Sequence, residues 1–554
     1  WPFTWRKSPS GSPSTRIRSA RSTSLRPRVR APGASPRPQT GPYPSVDRAR
    51  QSVLLPSLLP ASLILLGAFL RLYHFTTPDL WIDEYGTWWV VAPRAWSEVA
   101  QRALQVQGQS PFYYFFVKLS SDLLGPGPLA FRLPSLLFGI GIPGLAYLVG
   151  LKLFQDRHAA LLALAAFAVN ERMIFYSQEA RPYALALFCT LLSFLFYLSL
   201  LNTEKLSARI GYLLATSGAY YTHFLFGFIV VIQLLHLLAR SDRARSHSRA
   251  WTLTFLLLAL ISLPGVPQLL GLFARRESLN WLPPPGAFAP LELVVQFLDP
   301  WIFSATAFSV LAIGSTAARR DQLPDQAHGG LILSWFLLPV VFFGVVSQLS
   351  GTSLLYSRYL LLVAPAAIFA VAWLMALVPQ TQPRKWIPLV TFLTVTFLWN
   401  LLPPVPVSGT FCRWLNQGWE SAAQELETSA HPEDLILYRT GFVEADLLRL
   451  PNPDPMMVSF IEWPLTANLS SPRRYQMTGL PFRENAETAT YISSLVDKAR
   501  QRDRVWVIGL EPLITNVAHA LMRGAEFEVR KRTRYGSVEV VLLEQTRKRP
   551  HRTQ

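Results

Sequence analysis

Cysteine is nearly absent from the 554-residue sequence, which contains only Cys189, within an apolar run, and Cys412, beyond the last such run. Because the two lie in different environments, we expect neither a disulfide nor a cysteine-based metal site, and we expect Cys189 to pack in a core. The sequence also lacks a glycine-rich phosphate loop and an internal repeat, so nothing in it indicates a cytosolic nucleotide-binding domain.

Charged residues are scarce as well, at 16% of the chain against 50% hydrophobic residues, and the mean hydropathy is +0.25. Residues 53–70 carry no charge. That run has about the length needed to cross the hydrocarbon core of a bilayer. The composition therefore excludes an ordinary soluble protein and predicts an integral membrane protein.

Acidic residues are almost missing from residues 1–50, where eleven Arg and Lys side chains face one acid, Asp47, and contribute +10 of the net charge of +18. The segment is rich in Ser and Pro and has no apolar periodicity, so it cannot bury a core. Three interpretations stay open: a disordered basic arm beside anionic lipid, a transit segment, and upstream sequence from a misassigned start, since residue 1 is Trp. We favour an arm or an artefact over targeting. We do not interpret the segment as binding nucleic acid, because basic residues near a first span hold that end in the cytosol.

Apolar runs of helical length recur along residues 51–404 and predict about 11 membrane spans. Loops on the same side as the arginine-rich N-terminus hold twelve basic residues, whereas the opposite loops hold seven. This alternation requires that residues 111–124, which carry Lys118 and Asp122, enter the membrane partway without crossing it. The predicted spans lie near residues 53–73, 131–151, 159–173, 182–200, 210–222, 224–239, 251–270, 291–316, 329–349, 359–378 and 386–402.

The first loop, residues 74–110, is polar and aromatic, and the predicted topology places it outside the cytosol. Within it, Trp96, Val99 and Ala103 recur at helical spacing. This pattern is typical of a helix that lies in the interface plane.

After about residue 405 the composition changes to that of a soluble α/β domain of roughly 150 residues, large enough for its own core. An odd number of spans places this domain, residues 405–554, outside the cytosol. The predicted fold class is thus a polytopic α-helical membrane protein with a C-terminal α/β domain. Strands are predicted at 434–438, 504–508, 526–530 and 538–544, with a hairpin turn at 535–537, and helices at 417–427 and 487–501.

An acidic pair, Asp83 and Glu84, stands just past the first predicted span in the sequence LWIDEYG. Carboxylates at a bilayer edge are costly to desolvate, so they either face water or perform chemistry. A second polar cluster, NERMIFYSQEARPY at residues 170–183, falls on the same side of the membrane. Its Arg181 precedes a span and lies at headgroup depth, where a forked guanidinium suits phosphate oxygens. The alternative is an ordinary polar loop with a surface Glu179–Arg181 ion pair.

Three further polar positions fall at this face: Arg132 begins the second span, His223 lies between two spans, and Arg358 opens the tenth. A lone histidine is more often structural than catalytic. Arg358 could meet a lipid phosphate or serve as a snorkelling anchor.

Carboxylates beside several arginines at a lipid boundary suit one reaction, the transfer of a sugar from a polyprenyl phosphate to an acceptor hydroxyl. The departing phosphate needs no general acid, unlike the alcohol released in glycoside hydrolysis. One carboxylate can take the proton from the attacking hydroxyl, and arginine can neutralise the charge that develops on the phosphate. A single-step displacement would invert the anomeric centre.

Over about residues 70–400 the sequence resembles the polytopic glycosyltransferases of the GT-C fold. It is most similar to the bacterial branch related to protein O-mannosyltransferases and aminoarabinose transferases. The resemblance rests on the order and spacing of short motifs. They are the Asp83–Glu84 loop, QSPFYY at 109–114, FRLPS at 131–135 through Gly139 and Tyr147, YSQEARPY at 176–183, Thr222–His223, and SRYL at 357–360.

The resemblance implies that Asp83 is the base, with Glu84 supporting it or binding a cation, and that Arg181 and Arg358 hold the donor phosphate. Relatives often carry His-Pro-Pro where this chain has Gln109-Ser110-Pro111, so any metal or phosphate contact made by that histidine is in doubt. Members differ in whether they need a divalent metal, and the metal stays open here. The C-terminal domain resembles variable extracytoplasmic domains that help to select the acceptor.

We therefore expect a membrane glycosyltransferase, in a bacterial inner or plasma membrane, that uses a polyprenyl-phosphate sugar and a glycan, lipid or protein acceptor of the cell envelope. The rival hypothesis is a transporter or flippase of a lipid-linked glycan, in which the same charges line a path, and a third is a catalytically inactive scaffold of the envelope. The predicted catalytic residues are Asp83 and Glu84, and the predicted substrate-binding residues are Arg181, Tyr183, Gln178, Glu179, Arg358, Tyr359, Arg132 and His223.

Overall fold

Most of the apolar runs form helices, as expected where lipid offers backbone groups no hydrogen-bond partners. The computed structural model describes residues 46–240, 248–274, 286, 288–298, 326–376, 386–401, 417–511, 513–525 and 527–546. Apart from the start of the first helix, these residues belong to one compact unit, Pro56–Gln554. The helices up to residue 401 are α1 (Val46–Leu72), α2 (Ile82–Val91), α3 (Trp96–Gln105), α4 (Phe112–Leu124), α5 (Pro128–Phe154), α6 (Arg157–Val169), α7 (Glu171–Ser177), α8 (Tyr183–Leu200), α9 (Leu206–Thr222), α10 (Ile229–Ala239), α11 (Ser248–Ser262), α12 (Val266–Ala274), α13 (Ala289–Leu298), α14 (Gln326–Ser350), α15 (Ala364–Ala376) and α16 (Trp386–Leu401).

Four helical segments among the described residues are long and apolar enough to cross a membrane: Pro128–Phe154, Tyr183–Leu200, Ser248–Gly271 and His328–Ser350. The bent pair α6–α7 makes a fifth if it counts as one span. The total of about 11 spans stays a prediction, since several of the other predicted runs form shorter apolar helices and residues 299–325 lie outside the described part. Residues 1–45 of the predicted arm and Cys412 also lie outside it, whereas residues 46–50 of the arm form the beginning of α1. Cys189 is a buried free thiol, as predicted.

The run near 159–173 does not form one straight helix. The helix stops at Asn170, whose backbone is extended, and α7 starts at a 55° angle to α6. The Asn170 side chain accepts from the backbone N–H of Met173 at 3.1 Å and so caps α7. An Asn cap offers the backbone a local alternative to the continuing helix.

Arg71 and Gln178 fasten this break to the end of α1. The buried Arg71 guanidinium donates to the carbonyls of Phe167 and Ala168 at 2.8 and 2.9 Å, which satisfies the last turn of α6. In return, Gln178 Nε2 donates to the carbonyls of Arg71 and Tyr73 at 3.0 and 2.9 Å. Each side chain thus pairs carbonyls that a helix end leaves unpaired, and together they set where residues 178–182 lie.

Gly139 on α5 lets α7 approach closely. A Cβ at Gly139 would lie 2.2 Å from Ser177 Oγ and 3.1 Å from Ser177 Cα, so only glycine fits here. The contact joins two motifs of the sequence, the run from Phe131 to Gly139 and the cluster at 176–183. We therefore expect any larger residue at 139 to push α7 and the adjoining cluster out of place.

The predicted helices in and after the first loop are confirmed. Val99 and Ala103 on α3 are buried, whereas Trp96 is 43% exposed and contacts Phe115 of α4 with ring centroids 5.5 Å apart. Residues 111–124 form α4, and Lys118 pairs with Asp122 one turn later. How deeply α4 enters a membrane stays a prediction.

The C-terminal part is an α/β domain, as predicted. Its helices are α17 (Trp419–Ser429), α18 (Pro455–Thr466), α19 (Ala486–Ala499) and α20 (Leu513–Ala525), and its strands are β1 (Leu435–Arg439), β2 (Gln476–Gly479), β3 (Arg504–Leu510), β4 (Phe527–Tyr535) and β5 (Val538–Gln545). The sheet order is β2-β1-β3-β5-β4, with β1 parallel to β2 and β3, and with β5 antiparallel to β3 and β4. The β4–β5 hairpin turns at Gly536 with φ +58°, as predicted.

Sequence reasoning missed β2, α18 and α20. The strand β2 has only four residues and no alternating pattern. Helix α18 contains Pro464, which argues against a helix, although Asp454 followed by Pro455 is a recognisable start signal, because Asp454 caps the helix and proline is tolerated at its first position. We attribute these two misses to short or proline-containing segments that tertiary packing stabilises. Helix α20 is neither: it has 13 residues and no proline, and its buried Leu513, Val517 and Leu521 recur at helical spacing, so the sequence did carry a signal for it.

Helix α18 packs against α2, which carries the acidic pair. Trp89 Nε1 donates to Ser459 Oγ at 3.2 Å, and its ring meets Phe460 edge-on at 5.3 Å. Asn468, just after α18, donates to the Tyr85 hydroxyl at 2.8 Å. The C-terminal domain therefore braces the helix on which the candidate site is built.

Candidate active site

Helix α2 begins at the acidic pair. Trp81, with an extended backbone, precedes the helix, so Asp83 and Glu84 lie in its first turn, where negative charge interacts favourably with the helix dipole. The two carboxylates then differ. Glu84 is completely buried, whereas the Asp83 side chain is 21% exposed.

Glu84 forms a buried bidentate ion pair with Arg132 of α5. Arg132 Nε and Nη2 donate to the two carboxylate oxygens at 2.7 and 2.6 Å. The other Arg132 donations go to the backbone carbonyls of Phe75, Pro78 and Asp79 at 2.9, 2.9 and 3.1 Å. Every N–H of this guanidinium therefore has a protein acceptor, and the pair ties the loop after α1 to the starts of α2 and α5.

Helix α2 also holds the second polar cluster in place. Glu84 Oε1 accepts from the backbone N–H of Ala180 at 2.8 Å, and Thr87 donates to the carbonyl of the same residue at 2.8 Å. Both backbone groups of Ala180 are thus bound to α2. As a result Arg181 lies beside the acidic pair, and its Nη1 donates to the Asp83 carbonyl at 3.4 Å.

Asp83 makes its ion pair with Arg358, which lies in the segment between α14 and α15. The Arg358 guanidinium also lies 5.3 Å from the Trp81 ring centroid and 5.4 Å from that of Tyr356, both within cation–π range. The Arg358 and Asp83 side chains are 23% and 21% exposed, so a ligand can reach this pair. Residues 83, 181 and 358, far apart in sequence, therefore meet in one place.

Glu179 is almost completely buried, at 1% exposed, and neither of its carboxylate oxygens has a hydrogen-bond partner among the described residues. Burial raises the pKa of Glu179 to about 8, although Arg358 and Arg181 oppose the shift. Its carboxyl is therefore mostly protonated at pH 7.

Tyr183, Tyr359 and His223 complete the surroundings. Tyr183 is buried, with its ring 4.8 Å from Tyr176 and 5.8 Å from His223, and Tyr359 packs against Tyr356 at 5.5 Å. Loss of hydration and the charge of Arg181 lower the pKa of His223 to about 4, so the imidazole is neutral at pH 7.

An apolar groove of about 340 Å³ lies between α9, α10 and α11. Tyr220 and Phe224, which flank His223 in the sequence, line one side, and Phe255, Leu258 and Ala259 belong to α11. The groove is shaped by hydrocarbon side chains, so it suits an apolar chain rather than a sugar.

Sequence reasoning singled out Asp83, Arg181 and Arg358, and the structure brings all three together. It also brings in residues that were missed: Arg71, Trp81 and Thr87. A signal existed for Arg71, since it is a charge directly after the uncharged run 53–70. Trp81 and Thr87 offered none, because their roles depend on contacts with distant segments.

No group of three or more His, Cys, Asp or Glu side chains suited to a metal occurs within the described ranges. Gln109 and Ser110, which replace the histidine-containing motif, are bound locally. Gln109 accepts from the Tyr114 hydroxyl at 3.2 Å, and Ser110 Oγ accepts from the backbone N–H of Phe112 at 3.2 Å. Metal dependence therefore stays open.

Residues 108–266 match the family model of dolichyl-phosphate-mannose-protein mannosyltransferase. No curated protein matches the sequence. Among solved structures, ArnT from Cupriavidus metallidurans in the apo state is similar at a TM-score of 0.53 and 14% identity, over 89% of this chain and 98% of that one.

ArnT from the same organism bound to undecaprenyl phosphate has a TM-score of 0.54 and 14% identity, over 88% of this chain and 97% of that one. The Archaeoglobus fulgidus oligosaccharyltransferase has a TM-score of 0.48 and 11% identity, over 81% of this chain and 67% of that one. The chain therefore has the GT-C fold of ArnT, and residues 108–266 carry the pattern of the mannosyltransferase family model.

Proposed function

We propose that this protein is a membrane glycosyltransferase that moves a sugar from a polyprenyl-phosphate donor to a glycan, lipid or protein acceptor of the cell envelope. The main support for this proposal is that Asp83, Arg181 and Arg358, which are distant in sequence, lie next to one another beside α2. The family match over residues 108–266 and the fold shared with ArnT, which binds undecaprenyl phosphate, support the proposal.

In the proposed reaction, Asp83 accepts the proton of the acceptor hydroxyl as the hydroxyl oxygen attacks the anomeric carbon of the donor sugar. The bond between that carbon and the phosphate oxygen breaks, and the electron pair leaves on the polyprenyl phosphate. Arg358 and Arg181 stabilise the charge that develops on the phosphate. Attack opposite the leaving group inverts the anomeric centre, and the sugar moved is a hexose or a pentose.

The neighbouring residues position this machinery. Glu84, whose oxygens are bound by Arg132 and by the Ala180 N–H, keeps α2 and the 178–182 segment together. Gln178 sets the same segment from the other side through the end of α1. We infer that Glu84, Arg132 and Gln178 act through position, whereas Tyr183, Tyr359 and His223 line the donor's surroundings.

We infer from the distribution of basic loops that this site and the C-terminal domain lie outside the cytosol, and we propose a bacterial inner or plasma membrane as the location. No ATP is needed there, since the donor phosphate bond carries the driving force. The brace between α18 and α2 puts the C-terminal domain beside the site, where it can help to select the acceptor.

The direct test is transfer by the purified full chain in lipid nanodiscs, with polyprenyl-phosphate-linked sugars as donors. Mass spectrometry of envelope glycans, lipids and proteins with and without the gene identifies the acceptor. A sugar that is missing without the gene and added by the purified protein supports the proposal. Passage of an intact lipid-linked glycan across the bilayer with no bond made would replace it with transport.

Arg181→Ala and Arg358→Ala should each weaken the binding of polyprenyl phosphate by roughly tenfold or more, since a charged hydrogen bond to phosphate contributes about 1.5–3 kcal/mol. Acceptor affinity should change less. The measurement is equilibrium binding of polyprenyl phosphate to the protein in nanodiscs. Arg500→Ala, in an exposed pair with Asp497 of the C-terminal domain, is the matched control and should leave this affinity unaltered. A donor affinity that survives both site substitutions contradicts the phosphate role.

Ala259→Trp should narrow the apolar groove and weaken binding of a long polyprenyl phosphate, because the chain then loses contact area worth about 25 cal/mol per Å². Binding of a short-chain phosphate should be spared. Leu260→Trp, at the next position of α11 and 62% exposed, is the control. Equal affinity for long and short chains in Ala259→Trp would place the polyprenyl chain elsewhere.

A further inference from the structure

Glu179 has no evident structural task, although it is one of the most deeply buried acids in the described part of the chain. A buried polar group without a partner costs about 1–3 kcal/mol, so most such groups are paired. Both Glu179 oxygens are without partners there, even though two arginines lie nearby. Such an arrangement indicates that a ligand supplies the missing partner.

The neighbouring cations are engaged elsewhere at most of their donors, although Arg181 Nε, like the Glu179 oxygens, has no hydrogen-bond partner among the described residues. Arg132 is bound by Glu84, Arg358 by Asp83, and Arg181 Nη1 by the Asp83 carbonyl. The titratable and charged groups that act on Glu179, or that it acts on, are Asp83 and Glu84 of α2, Tyr113 of α4, Arg132 of α5, Tyr176 of α7, Arg181 and Tyr183 at the start of α8, and Arg358.

The charges around Glu179 are balanced once a donor is bound. The Arg132–Glu84 and Arg358–Asp83 pairs cancel, and the donor phosphate supplies the counter-charge of Arg181. A hydroxyl can both donate to and accept from a carboxyl group, so a sugar hydroxyl can satisfy the Glu179 oxygens without adding charge.

We propose that Glu179 is a specificity residue whose carboxyl hydrogen-bonds a hydroxyl of the donor sugar. This rests on the proposed function, because a donor phosphate held by Arg181 and Arg358 puts the attached sugar next to Glu179. The raised pKa of Glu179 supports this assignment but does not carry it.

The test measures binding of three kinds of ligand to the full chain in nanodiscs at pH 7. They are polyprenyl phosphate without a sugar, the same lipid carrying a neutral hexose, and the same lipid carrying that hexose with one hydroxyl removed, each position in turn. Wild-type protein should bind the complete neutral donor roughly tenfold or more tightly than the donor that lacks the contacted hydroxyl, since about 1.4 kcal/mol corresponds to a factor of ten. Equal wild-type affinity for the complete donor and every deoxygenated donor overturns the inference.

Two substitutions separate the possibilities. Glu179→Leu should weaken binding of the neutral donor roughly tenfold. Binding of polyprenyl phosphate without a sugar should change much less. Glu179→Gln keeps a neutral group that donates and accepts, and should restore most of that loss. Equal loss for all three ligands in Glu179→Leu, or a Gln variant as weak as the Leu variant, overturns the inference.

A pH series adds a readout that a purely structural role would not move. As the pH rises through about 8, Glu179 loses its proton and its new negative charge repels the donor phosphate, so wild-type donor affinity should fall. Glu179→Gln should lack this fall, and a fall of the same size in that variant contradicts the assignment. If the wild-type protein bound no polyprenyl phosphate at any pH, that result would contradict the proposed function itself rather than the role of Glu179.

Discussion

Asp83→Asn should lower the rate of sugar transfer by roughly a thousandfold, within the range that a positioned general base contributes. Asparagine has nearly the same shape as aspartate but cannot accept the proton of the attacking hydroxyl. The Asp83 side chain is partly exposed and lies against Arg358, so the substitution removes charge without opening a cavity. Single-turnover transfer from a polyprenyl-phosphate sugar is the appropriate measurement.

Two controls sharpen this result. Glu98→Gln removes another acid of the first loop, from a half-exposed pair with Arg102 on α3, and should leave transfer close to wild type. Binding of polyprenyl phosphate to Asp83→Asn should persist, because Arg181 and Arg358 remain. If Asp83→Asn transferred sugar at the wild-type rate, Asp83 would not be the base.

Arg132→Leu should destabilise the fold by about 3–5 kcal/mol, because it leaves the Glu84 carboxylate buried without its counter-charge. The backbone carbonyls of Phe75, Pro78 and Asp79 lose their donor at the same time. Thermal unfolding of the detergent-solubilised protein, followed at constant detergent and salt, measures the loss.

The double variant Arg132→Leu with Glu84→Leu should recover part of this loss, since replacing both charges leaves no unpaired ion in the interior. Arg500→Leu, which breaks the exposed pair with Asp497 on the surface of the C-terminal domain, should cost at most about 1 kcal/mol. Equal losses for Arg132→Leu and Arg500→Leu would contradict the view that the buried pair holds α2 in place.

The resemblance and the chemistry of the motifs were enough to select the acidic pair and the two arginines of the site. They could not tell which of the two carboxylates is buried in the pair with Arg132 and which one pairs with Arg358. Asp83 and Glu84 are neighbours in sequence, but successive residues of a helix point about 100° apart, so Glu84 faces α5 and Asp83 faces Arg358. Only the packed structure shows that Arg132 takes Glu84 and leaves Asp83 to Arg358.

Gln178 and Glu179 illustrate the same limit. Both are polar residues of one motif, and both were predicted to bind substrate. The Gln178 amide is bound to carbonyls at the end of α1, whereas the Glu179 carboxyl is buried without a partner among the described residues. That difference depends on where α1 ends relative to α7, which is a tertiary fact.

The amino-acid sequence alone determined that this is a helical membrane protein with an α/β domain at its C-terminal end, because hydrophobic run length and residue periodicity are local properties. It also determined which side chains could carry chemistry. The tertiary structure decided how those side chains pair, where α6 breaks, and that the C-terminal domain braces α2. These outcomes depend on contacts between segments up to several hundred residues apart. Several pairings are compatible with the local sequence, and a local pattern cannot tell which of them forms.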